Sequence, residues 1–340
     1  MNDIARAAHA LRAGDLVAFP TETVYGLGAD ARNPTALAKI FAAKGRPADH
    51  PLIVHLPDAT HLAQWAIDIP ASAHALAAAF WPGPLTLILK RHPSVPDLVT
   101  GGQDTVGVRV PNHPVALALL REFGGGVAAP SANKFGRISP TTAAHVQEEL
   151  GDAVAMILDG GACAVGIEST IVDMTSPTPR ILRPGAISAD ILRQQLNTPV
   201  HEGYATQQTG QATGQIKGHS TPRVSGSLAA HYAPRTPLRL CPVETLPAAV
   251  NAALQQGKRV AVLAPGRLPE TAPSLPANPH IIRRVASADF AQYAHDLYAT
   301  LRDLDATGCD LILVAAPPDN LAWSAVNDRL RRAAAGSGTG

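Results

Sequence analysis

Phe19-Pro20-Thr21-Glu22-Thr23-Val24-Tyr25-Gly26-Leu27-Gly28 begins where the apolar run Leu16 to Phe19 meets a proline. That run has the length and composition of a short buried strand, and Pro20 ends it. Proline, hydroxyls and glycine then suit a tight loop that points hydroxyl and backbone donors into a cleft. Two more polar islands occupy the same kind of position. One is Lys44-Gly45-Arg46-Pro47, closely followed by the strand-like Pro51-Leu52-Ile53-Val54-His55-Leu56. The other is Ala129-Pro130-Ser131-Ala132-Asn133. Loops at strand ends are where open α/β sheets bind ligands. Three such islands, carrying hydroxyls, a fixed cation and glycines, indicate one anion-handling pocket.

Outward from the islands, strand-like and helix-like segments alternate through the first 200 residues. Residues 1–13 read as a short amphipathic helix with a glycine stop at Gly14. Asn33-Pro34 reads as an N-cap with proline at the first helical position, opening a helix to Lys44. Strands are expected at 52–56, 85–90, 106–110, 127–129, 156–158, 170–173 and 180–183. Helices are expected at 71–80, 114–122, 141–150 and 187–196. Several strands follow one another without a helix between them, so the sheet is expected to be mixed. Residues 203–226 are polar and low in complexity, and read as a flexible linker. The pattern then resumes with helices at 243–256, 286–307 and 321–332 and strands at 259–263 and 310–315. The division is therefore 1–202, a linker or lid over 203–234, a small α/β domain over 235–335 and a disordered tail over 336–340.

With 340 residues, 46% hydrophobic and 16% charged, the composition is that of an ordinary globular protein long enough for two domains. A formal charge of +1 means that RNA contact would need a local basic patch, and 4% aromatics leave few base-stacking platforms. Cys163, Cys241 and Cys309 are far apart and odd in number, which implies a reducing cytoplasm and no zinc ribbon. No apolar run approaches the roughly 20 residues that span a bilayer.

Each island has a plain structural reading beside a functional one. Thr21 and Thr23 could simply cap a turn, yet Thr23 is the preferred substrate contact, and Glu22 reads as an internal salt-bridge partner without an assigned role. Lys44 at a helix C-terminus suits the helix dipole. Gly45 and Pro47 nevertheless fix the backbone after it, so Lys44 and Arg46 point in set directions, one as a point charge and one as a bidentate phosphate donor. His55 inside a strand reads as a core histidine or a ligand contact. Arg109 shares a strand face with Thr105 and Gly107 and needs an anion there, either a carboxylate ligand or an internal Asp. Ser131 and Ser139 offer hydroxyls for phosphate or ribose, and Ser139 could equally cap the next helix. Ser169 stands at a strand entrance, and Arg183-Pro184-Gly185 places a cation in a glycine turn. There is no P-loop, no dinucleotide fingerprint, no hydrolase elbow and no metal-cage spacing. The chemistry is expected to be positioning plus anion stabilisation, without a covalent nucleophile.

Together these segments resemble the long form of the threonylcarbamoyladenylate synthase family, a YrdC-like domain joined to a small C-terminal domain. The resemblance rests on Pro20 to Leu27, Lys44 to Pro47 with Pro51 to His55, Ser131-Ala132-Asn133, and Glu168-Ser169-Thr170 with Arg183-Pro184-Gly185. It covers roughly residues 5 to 200, and His231-Tyr232-Ala233-Pro234 extends it to the linker end. It implies a YrdC-like twisted mixed open sheet with helices, and a Rossmann-like α/β C-terminal domain. It implies that L-threonine, bicarbonate or CO2, and ATP give threonylcarbamoyl-AMP and pyrophosphate, for a threonylcarbamoyl-transferase complex acting on tRNA. By position, Thr23, His55, Arg109, Ala129 through its backbone, and Ser169 would hold L-threonine. Arg46, His50, Thr105, Ser131, Ser139 and Arg183 would surround ATP, with Lys44 near the carbamate and phosphates and Lys44 and Arg46 as the catalytic cations. Mg2+ is expected with the nucleotide rather than in a protein cage. Departures are His50 where the family often has asparagine, Ser225 for a proline and Ala229 for a tyrosine, which leaves Tyr232 as the linker's aromatic toward ATP. The competing readings are a double-stranded RNA or tRNA binding module, and a carbamoyl-transfer maturation module. The second normally carries zinc-finger and acyl-phosphatase regions absent from this cysteine-poor chain.

Overall fold

The computed structural model describes residues 2–203, 221–268 and 274–338. They form two compact units. The first runs to Phe135 and from Ser139 to Ser227, and the second joins Gly136–Ile138 to the chain from Leu228 onward.

The first unit is built on strands β1 (Val17–Phe19), β2 (Gly26–Asp30), β3 (Ile53–His55), β4 (Leu85–Lys90), β5 (Thr105–Arg109), β6 (Val127–Ala128), β7 (Met156–Ile157), β8 (Thr170–Asp173), β9 (Arg180–Arg183) and β10 (His201–Glu202). They make one sheet in the order β10-β9-β8-β4-β5-β3-β6-β2-β1-β7. The sheet is mixed: β3–β5 and β4–β8 are parallel, while β1–β2, β2–β6, β3–β6, β4–β5 and β8–β9 are antiparallel. Its helices are α1 (Asp3–Arg12), α2 (Pro34–Lys44), α3 (Ala71–Phe80), α4 (Asp97–Thr100), α5 (Pro114–Phe123), α6 (Ala143–Leu150) and α7 (Ala189–Leu196).

Strand alternation assigns the two faces. Val17 and Phe19 join Leu11, Leu119, Leu120 and Val127 in one core, whereas Ala18 joins Leu37, Ile40, Val54, Leu87 and Val108 in the other. In the centre of the sheet, Val54, Leu87, Val106 and Val108 enter the larger core. Their neighbours Ile53, His55, Thr86, Ile88, Thr105, Gly107 and Arg109 therefore lie on the opposite face, which carries the polar groups.

The second unit contains β11 (Leu238–Cys241), β12 (Val260–Pro265), β13 (Ile281–Ala286) and β14 (Leu311–Ala315), with α8 (Leu246–Gln255), α9 (Phe290–Asp305) and α10 (Ser324–Gly336). Its sheet is wholly parallel, in the order β11-β14-β12-β13.

Three sequence expectations change. The helix expected over 286–307 starts later, at Phe290, because Asp289 caps α9 by accepting from Gln292 N, and β13 before it had no counterpart in the sequence expectations. Gly26-Leu27-Gly28, read as loop, opens β2, because β1 and β6 pair this strand on both edges despite its weak strand composition. Residues 336–338 of the expected tail are ordered by Ser337, whose hydroxyl accepts from Leu238 N. Residues 339–340, like 204–220 of the expected linker, lie outside the described residues.

Candidate active site

Helix α2 shows how local sequence aims a cation. Asn33 Oδ1 accepts from Thr35 N and Ala36 N, and Gly45 ends the helix at φ +62°. Gly45 N donates to Ala42 O and Arg46 N to Phe41 O, the pairing of a Schellman stop. Lys44 is buried, and its Nζ donates to Ser131 O and Asn133 O at 2.5 Å. Burial, and then the charge of Arg46, holds its pKa well below the ordinary lysine value. Arg46 Nη2 donates to Pro51 O at 2.9 Å, and its guanidinium lies 5.9 Å from the Phe135 ring centre. His50 packs edge-on against the same ring at 5.2 Å, and partial burial followed by Arg46 lowers its pKa. The second and third islands thus meet.

The first island meets β5. Thr21 Oγ1 accepts from Thr23 N and Val24 N and donates to Val24 O, so Thr21 performs the turn-capping role. Thr23 is thereby left to face β5, where its hydroxyl accepts from Arg109 Nη1 at 2.9 Å. Arg109 Nε donates to Gly83 O, and Nη2 lies 2.7 Å from Glu22 Oε1. The anion for Arg109 is therefore an internal carboxylate, but Glu22 rather than an Asp. Glu22 Oε2 also accepts from Asn112 N at 3.0 Å. His55 is opposite Arg109 in the β3–β5 register and packs edge-on to Phe19. Burial, and then Arg109, lowers its pKa to about 3, so the ring is neutral at pH 7. Its Nδ1 has no hydrogen-bond partner among the described residues. Ala129 N–H donates to Ile53 O.

A third cluster joins β4, β8 and β9. Ser169 Oγ lies 2.7 Å from Thr86 Oγ1 and accepts from Arg183 Nη2 at 3.0 Å, while Arg183 Nε donates to Ser169 O. A Cβ on Gly185 would sit 2.4 Å from Thr170 N, so only glycine lets this turn lie against the Ser169-Thr170 backbone. Ser139 donates to Glu168 Oε1 at 2.6 Å. It does not cap the following helix, because Thr142 holds that position and α6 begins at Ala143.

The linker's described start lies on this same unit. Arg183 Nη1 donates to Ser225 O, Arg180 Nη1 to Thr221 Oγ1, and Arg223 and Gln103 bond reciprocally through Arg223 N and O. Val224 is buried among Ile88, Ile171 and Leu182. Thr105 lines the remaining gap of about 10 Å³ beside Val224 and Ser225. Tyr232 has a different setting from the one expected. It belongs to the second unit, buried at φ +60°, with its ring stacked on Tyr298 at 5.6 Å and 5.3 Å from the Arg329 guanidinium. It anchors the linker end there instead of presenting an open aromatic face.

Sequence reading did not assign Thr86, nor the partnerships of Glu22 and Glu168. Glu22 adjoins Thr23 in the first island, but its partner lies 87 residues away with no local pattern to reveal it.

The mixed sheet with buried polar clusters at its central strand ends defines a class: an α/β protein of the YrdC type, followed by a parallel α/β domain. A Sua5/YciO/YrdC family model, described as telomere recombination, matches residues 9–185. A model for the threonylcarbamoyl-AMP synthase C-terminal domain matches residues 187–335. The threonylcarbamoyl-AMP synthase of Bacillus subtilis is 39% identical over 98% of this chain and 93% of its own. That of Pyrococcus abyssi is 39% identical over 96% and 92%. The structure of P. abyssi Sua5 complexed with L-threonine superposes with a TM-score of 0.83 at 36% identity, covering 98% of this chain and 94% of that one. The chain belongs to the threonylcarbamoyl-AMP synthase family. The B. subtilis and P. abyssi relatives both carry the synthase name.

Proposed function

We propose that this protein is an L-threonylcarbamoyl-AMP synthase. The observation that carries the reading is the end-to-end likeness, over more than nine-tenths of both chains, to enzymes of that name. The clusters described above supply matching chemistry. The amine of threonine and bicarbonate give an N-carboxylate and water. A carbamate oxygen then attacks the α-phosphorus of ATP, and pyrophosphate leaves. In this reading Arg109 receives the threonine carboxylate, with Thr23, His55, the Ala129 backbone and Ser169 around the rest of the molecule. Arg46, His50, Thr105, Ser131, Ser139 and Arg183 surround ATP, and Tyr232 acts only as the linker's anchor. Lys44 and Arg46 stabilise charge on the phosphates as the α-phosphorus becomes five-coordinate. A labile carbamate needs water excluded, which the linker segment over Arg183 favours.

Mg2+ would arrive on the triphosphate and offset its charge. No described helix is long and apolar enough to cross a membrane. A cytoplasmic enzyme that hands its product to a threonylcarbamoyl-transferase complex acting on tRNA fits this chemistry.

The test is pyrophosphate release from ATP and Mg2+, with mass detection of the adenylate. Release and adduct that require both L-threonine and bicarbonate are expected. Folded protein that binds ATP yet shows no threonine-dependent release would refute the proposal.

A further inference from the structure

Arg109 and Glu22 are held side by side and cannot swing away. Arg109 is fixed through Nε on Gly83 O and Nη1 on Thr23 Oγ1, and Glu22 through Oε2 on Asn112 N. Both side chains are nine-tenths or more buried, at 5% and 7% exposure. The 2.7 Å contact between Nη2 and Oε1 is electrostatic and lacks hydrogen-bond alignment. Among the described residues, Arg109 Nη2 and Glu22 Oε1 therefore each keep an unfilled hydrogen-bonding direction. An unfilled donor and an unfilled acceptor of opposite charge thus lie next to each other in a dry environment.

His55, Cys163 and His113 lie beside this pair and add no charge to it at pH 7. Burial keeps His55 neutral, with a pKa of about 3, and burial pushes the Cys163 thiol up to about 12. Burial likewise lowers the pKa of His113, which faces Glu22. A buried pair of this kind is electrically neutral as a unit. A ligand with a carboxylate and an ammonium leaves it neutral, whereas a ligand with only a carboxylate leaves an uncompensated buried negative charge.

We propose that Glu22 is a specificity-determining residue, one that makes the Arg109 pocket select an α-amino acid zwitterion over a carboxylate lacking the amine. The inference rests on the reading above that threonine's carboxylate is held at Arg109. Beyond holding Arg109 in place, Glu22 then discriminates by charge against deaminated analogues of the same size and shape.

The experiment is calorimetric titration of the full chain with L-threonine and with 3-hydroxybutyrate, its counterpart without the amine, in the wild type and in Glu22→Gln. The wild type is expected to prefer L-threonine by about 100-fold or more, because the rejected ligand leaves a buried charge unpaired. In Glu22→Gln that ratio is expected to fall at least about tenfold, with 3-hydroxybutyrate binding gaining while threonine binding weakens. An unchanged ratio, with both ligands weakened equally, would mean that Glu22 only props up Arg109 and would overturn the proposal. So would a wild type that binds both ligands equally, a result that needs no variant to fold. Failure of the wild type to bind L-threonine at all would instead remove the underlying assignment of function, and this inference with it.

Discussion

Arg109 and the trio Lys44, Arg46 and Arg183 are all buried cations of the same unit, yet they are held in different ways. Arg109 is set against a carboxylate, Glu22. Lys44 is oriented by Ser131 O and Asn133 O, Arg46 by Pro51 O, and Arg183 by Ser169 O and Ser225 O. A carbonyl aims a cation without cancelling its charge, and a carboxylate cancels it. On the proposed function, the carboxylate-paired arrangement would face the net-neutral amino acid, and Lys44, Arg46 and Arg183 would face the triphosphate.

The largest expected effect concerns the neutral side of this contrast. The unfolded His55 takes up a proton below about pH 6.5, whereas the folded ring resists it down to about pH 3. Between these values the unfolded chain holds more protons, so stability falls as the pH falls, by up to about 5 kcal/mol. Urea midpoints at pH 7 and pH 4 should separate more for the wild type than for His55→Gln, and equal separations would contradict the burial argument. Next, Arg109→Leu strands Glu22 and is expected to lower the unfolding free energy by about 4 kcal/mol, most of it recovered when Glu22→Gln is added. Failure of the second change to rescue would break the comparison. Arg46→Ala tests the carbonyl-aimed side of the contrast. It should raise the KM for ATP about 30-fold, near 2 kcal/mol, while threonine affinity stays within about twofold. A parallel loss of threonine affinity would show that the two subsites are not separate. The smallest effect is at Val224→Ala, worth about 1 kcal/mol of local packing. It should speed hydrogen exchange at residues 221–225 and leave the β4–β5 pair unchanged.

Much of this is legible in sequence because it is local. Asn33-Pro34 and Gly45 bracket α2, and the alternation through Val106, Val108 and Arg109 puts the cation on the polar face. Glycine-rich β2 is hidden, since its strand character comes from neighbours on both sides rather than from its own residues. β13 has no sequence counterpart because Arg283-Arg284-Val285-Ala286 carries little strand alternation, and the true cap of α9, Asp289, lies three residues past its end. The Glu22–Arg109 and Thr86–Ser169 contacts join distant strands, and no spacing rule reaches across them. Tyr232 departs from its expected place because a tyrosine beside a flexible linker looks available, whereas its ring is buried against Tyr298 and the Arg329 guanidinium.

The hold of Arg183 on the linker goes through the main-chain carbonyl of residue 225, and every amino acid has one. Sequence can therefore drift at that position at little functional penalty, which makes a serine there as serviceable as a proline. What cannot drift is chain length between Gln103's partner, Arg223, and that carbonyl. A one-residue insertion or deletion there would leave all side chains present and still remove the contact, so the hold of Arg183 on this stretch depends on spacing rather than on the side chain at 225.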